Sequence, residues 1–82
     1  MIVLEFKFMN HFWAAAHILE DADLRFKTQP ALGDLFPSRI FFFEEELRND
    51  YQRIALREAR RVESRDFLER RRSNVASLAI PV

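Results

Sequence analysis

A chain of 82 residues makes a single domain, 1–82, that buries only about 60–65% of its unfolded surface and therefore has a thin core. It contains no cysteine, which excludes disulfides and thiolate-held metals and leaves packing quality and self-association as sources of stability. Thirteen basic and thirteen acidic side chains cancel to a formal charge of zero, so attraction to nucleic acid or an anionic membrane has to come from a local patch.

An apolar share of 49% with nine phenylalanines argues against wholesale disorder, and one glycine with three prolines favours long helices over turn-rich sheets. Met1 to Met9 places Ile2, Leu4, Phe6 and Phe8 on one side and Val3, Glu5 and Lys7 on the other, which predicts a strand. Glu5 and Lys7 interrupt any secretory signal pattern, and no run approaches the roughly 20 apolar residues of a membrane span. The expected location is cytoplasmic, away from membranes. Asn10 is a suitable helix N-cap, and Phe12, Ala15, Ala16, Leu19, Ala22 and Phe26 recur at steps of three and four. A helix is predicted over 11–26.

Lys27 to Pro37 holds Pro30, Gly33 and Pro37 and reads as a loop, packed down by Leu32, Leu35 and Phe36. From Ser38 to Arg72 there is neither proline nor glycine, so a single long helix is predicted, with Ser64 as a candidate break. Early Glu44, Glu45 and Glu46 and late Arg70, Arg71 and Arg72 complement its dipole, and Glu44–Arg48, Asp50–Arg53 and Asp66–Arg70 stand at pairing distance along it. Ile40, Phe43, Leu47, Tyr51, Ile54, Ala55 and Val62 project on one face, with Phe41 and Phe42 beside it. The tail, Asn74 to Val82, is expected to leave the helix as a short apolar strand pairing with Met1 to Met9. The fold class is α+β, mostly helical: strand, helix, loop, long helix and apolar tail.

Candidates for chemistry are sparse. His11 and His17 are six apart and face different sides of a helix, while His17 and Asp21 provide two metal ligands without a third. Glu44 to Glu46 fan around a helix and do not converge. The four serines lack a nucleophile-elbow motif, and a single glycine cannot build a phosphate-cradling loop. No catalytic, metal or cofactor site is assigned.

Two helices and one or two strands cannot enclose nine phenylalanines in so small a chain, so part of that ring surface is expected to meet another chain. The leading expectation is a non-catalytic protein-interaction or regulatory module. It forms a homo-oligomer, a dimer in the simplest case, through Phe12, Trp13, Phe41, Phe42, Leu47 and Tyr51, with another protein as a further partner class. The alternative is a nucleic-acid-binding regulator using Arg57, Arg61, Arg65 and Arg72, since arginine favours bidentate phosphate contact. Interleaved Glu58, Glu63, Asp66 and Glu69 weigh against it, because mixed charge runs are usually solvated faces.

Overall fold

The computed structural model describes the backbone at 1–30 and 37–79 and the side chains at 1–30 and 38–72. Its elements are β1 (Ile2–Glu5), α1 (Met9–Asp21), β2 (Lys27–Pro30), β3 (Pro37–Phe42), a 3-10 turn (Glu44–Glu46) and α2 (Asp50–Ala79). The strands form an antiparallel sheet in the order β1-β3-β2, with both helices on one face. The protein is α+β and mostly helical.

Strand alternation decides which side chains enter the core. Leu4 stands opposite Ile40, and Ile2 opposite Phe42. These point toward the helices with Ser38, while Val3, Phe41 and Arg39 point to the open side. Phe12, Ala15, Ala16 and Leu19 of α1 and Ala55, Ala59 and Val62 of α2 close over the inner row. The alanines permit α1 and α2 to lie close together, so the core between the helices is thin and its large side chains lie against the sheet.

The long helix begins at Asp50 and not at Ser38. Residues 38–42 alternate inward and outward as β3, a period-two signal hidden within a run free of glycine and proline. The start of α2 carries a side-chain cap: Asn49 Oδ1 accepts the Gln52 amide at 2.9 Å, and Gln52 Oε1 accepts the Arg48 amide at 2.7 Å. The segment Lys27 to Pro37, read as a loop, begins with β2, and its expected packing through Leu32, Leu35 and Phe36 lies outside the described residues. The strand read over 1–9 is confined to 2–5.

α1 starts at Met9 and ends at Asp21, not at 11 and 26. Asn10 does not cap it; Phe8 occupies the N-cap position without a side-chain bond. The C-terminus closes by a double turn in which Leu24 N–H donates to the Leu19 carbonyl at 3.1 Å and Asp23 N–H to that of Glu20 at 2.9 Å. Asp23 sits at φ 55, the left-handed position such a stop requires. Buried Leu19 and Leu24 flank the motif.

Residues 74–79 of the tail do not pair with β1, whose partner is β3. Backbone 73–79 continues α2, which passes Ser64 unbroken, and residues 80–82 lie outside the described residues. At 30 residues α2 runs about 45 Å, most of the 53 Å long dimension of a molecule 24 by 19 Å across. Among the described residues no helix is long and apolar enough to cross a membrane.

Candidate functional site

The aromatic side chains separate into an interior set and a surface set. Phe6, Phe12 and Phe42 are buried, with the Phe6 and Phe12 rings edge-to-face at 6.2 Å. Phe12 and Phe42 therefore leave the interface candidates, because the chain covers them itself: Phe12 sits on the core stripe of α1, and Phe42 on the inward row of β3. Leu47 is partly buried against the same core. Trp13 and Tyr51 stand out into solvent at 47% and 67% exposure, and Phe41 is half-buried on the open face of the sheet.

The six candidates do not form one surface. Tyr51 joins Ile18 and Ile54 in a shallow groove between the helices. Trp13, edge-on to Phe12 at 5.0 Å, lines a groove of about 590 Å³ between α1 and β2, with Ala16, Leu24, Phe26 and Thr28 on its walls. On the opposite face a second groove, about 340 Å³, is lined by Met1, Phe26, Phe41 and Phe43. Phe26 lines both, so an aromatic band wraps around β2. That strand is an edge of the sheet, and all four of its residues are exposed. Met1 and Phe26 were missed as surface candidates. The strand register that turns Phe41 outward becomes visible only once 38–42 is read with period two.

Arg57, Arg61, Arg65 and Arg72 are exposed along α2, as are Arg60 and Arg71. The acidic residues between them do not share their surroundings. Glu63 Oε2 accepts the Glu5 amide at 2.8 Å. Asp66, fully buried, accepts the Lys7 amide at 3.0 and 3.1 Å and the Phe8 amide at 2.9 Å. Glu69 Oε1 lies 3.4 Å from His11 Nε2, and Glu58 pairs with Arg61 at 3.1 Å. Of the expected helix pairs, Asp50–Arg53 forms at 3.4 Å and Asp66–Arg70 at 3.1 Å, whereas Arg48 meets Glu46 instead of Glu44. Arg70 also lies over the Phe67 ring.

Asp66 is a fully buried carboxylate held from several directions, and nothing in its local sequence announces this. Besides the two amides it receives His11 Nδ1 at 3.1 Å, while Arg70 Nε at 3.1 Å makes a charge contact outside hydrogen-bond geometry. A histidine oriented by a buried carboxylate resembles half of a general-base arrangement. Here the other ring nitrogen faces Glu69, so among the described residues no hydroxyl is set to be activated. The cluster does structural work: it ties the β1–α1 connection to α2. His17 meets Glu20 at 3.7 Å rather than Asp21, and the described residues contain no group of three or more His, Cys, Asp or Glu that could hold a metal.

Comparison with family models, with curated proteins and with solved structures finds no match to this chain.

Proposed function

We propose that the protein is a non-catalytic interaction module that assembles with copies of itself over the aromatic band around β2. The observation that carries this reading is the placement of exposed Trp13 and Phe43 on opposite sides of an edge strand, linked by Phe26. Solvent-facing rings beside a strand edge that is unpaired among the described residues offer both apolar area and backbone hydrogen-bonding groups to a partner. A formal charge of zero removes net repulsion between copies. Binding at such a band would be dominated by the rings, with charge complementarity setting orientation. A regulatory role and a cytoplasmic setting belong to the same proposal.

Sedimentation equilibrium tests it. The wild-type chain is expected to exceed monomer mass at micromolar concentration, and the emission of its one tryptophan to shift to the blue as concentration rises. Trp13→Glu combined with Phe43→Glu is expected to give a monomer with unchanged far-ultraviolet circular dichroism. A wild-type monomer throughout that range overturns the proposal, and so does an oligomer indifferent to the double substitution.

A further inference from the structure

We infer that the solvent face of α2 binds the phosphate backbone of double-stranded nucleic acid, a second surface independent of the aromatic band. Seen down the axis at 100° per residue, the buried positions Gln52, Ala55, Ala59, Val62 and Asp66 mark the inward direction. The opposite side carries Arg57, Arg60, Arg61, Arg71 and Arg72, with Arg65 at its edge, all exposed.

In the linear sequence four carboxylates dilute this run. In the fold three of them are used by the body: Glu63 by the Glu5 amide, Asp66 by the Lys7 and Phe8 amides and His11, and Glu69 by His11. Glu58 stays at the flank with Arg61. Arg57, Arg60, Arg65, Arg71 and Arg72 have no ion-pair partner among the described residues. A neutral chain thus presents one strongly cationic stripe.

The stripe suits a linear polyanion. Arg57, Arg61 and Arg65 follow at four-residue steps, about 6 Å each, and 57–72 spans about 22 Å. A duplex carries one charge per roughly 1.7 Å of axis, so a row of this length meets several phosphates. Arginine forks engage phosphate oxygens two at a time. An anionic membrane fits less well, because among the described residues the exposed large apolar side chains on the same face, Ile54, Phe67 and Leu68, are too few to insert. A second copy offers Glu20, Asp21, Asp23, Glu44 to Glu46 and Asp50, gathered about the end of α1 and the start of α2 and not in a row along one helix. Among the described residues a single exposed ring, Phe67, borders the outward arginines, and Arg70 lies over it; an unpaired strand is held by a succession of stacking rings, so the stripe favours a duplex over a single strand.

Fluorescence anisotropy with a labelled duplex DNA of arbitrary sequence tests this. The logarithm of affinity is expected to fall linearly with that of salt concentration, with a slope of about −3 to −5. Arg57→Gln with Arg65→Gln is expected to flatten that slope by about 2 while leaving the melting temperature and the sedimentation mass unchanged. Absence of binding at low salt overturns the inference, as does a slope unaltered in the double variant. Equal affinity for a single strand, or for vesicles of anionic phospholipid, overturns the assignment to a duplex. Loss of self-association through Trp13→Glu and Phe43→Glu is read by mass alone, so the two surfaces fail separately.

Discussion

Asp66 holds together parts of the chain that are otherwise joined only through the core. A buried carboxylate is costly unless its lone pairs are filled, and here two amides, an imidazole and a guanidinium surround it. Removing it strands the Lys7 and Phe8 amides and takes the buried carboxylate away from His11 and Arg70. Asp66→Ala is therefore expected to lower unfolding free energy by about 3–5 kcal/mol, read as a shifted denaturation midpoint at constant slope. Asp66→Asn, which keeps the shape and one acceptor, is expected to lose less. At Asp23 the direction reverses. Its φ of 55 is tolerated by aspartate and unstrained in glycine, so Asp23→Gly is expected to raise stability by about 0.5–1 kcal/mol in the same measurement.

At the level of elements, Gln52 fixes where α2 begins and what it touches. Its side chain accepts the Arg48 amide and donates to the Asp23 carbonyl at 3.3 Å, so it caps one helix and grips the end of the other. Gln52→Ala is expected to cost about 2 kcal/mol and to fray the first turn of α2, visible as faster amide exchange there. This cap also explains which boundaries sequence reading finds. The stripe of α1 and the continuity of α2 beyond Asp50 follow from spacing alone. The start of α2 was legible too, because Asn49 and Gln52 stand three apart in the capping pattern, but an uninterrupted apolar run from Ile40 to Phe43 masked it. The N-terminus of α1 was not legible. The Lys7 and Phe8 amides just before it are met by a carboxylate nearly 60 positions away, and no local rule anticipates a partner so remote. The aromatic candidates split for a similar reason: neighbours such as Phe41 and Phe42 share composition, and only the strand register separates inside from outside.

For the whole molecule, neutrality conceals an uneven distribution. Glu20, Asp21, Asp23, Asp50 and Glu44 to Glu46 lie near the end of α1 and the start of α2, whereas the outward arginines extend along the rest of α2. Charge is accordingly spread unevenly over the chain, and ionic strength is expected to alter its encounters more than a net charge of zero implies. The aromatic band lies around the outer edge of the sheet, away from the solvent face of α2, so the two proposed contacts can coexist on one copy.

The clamp between residues 5–8 and 63–69 also bears on how the molecule comes into being. A ribosome releases β1 and α1 long before it reaches Glu63 and Asp66, so the nascent N-terminal half waits with its amides hydrated and its apolar stripe bare. Only when the distal half of α2 emerges can the first helix be locked. Truncated products ending before Asp66 should therefore be prime targets for chaperones and proteases, and folding should complete as one late event instead of growing steadily from the N-terminus.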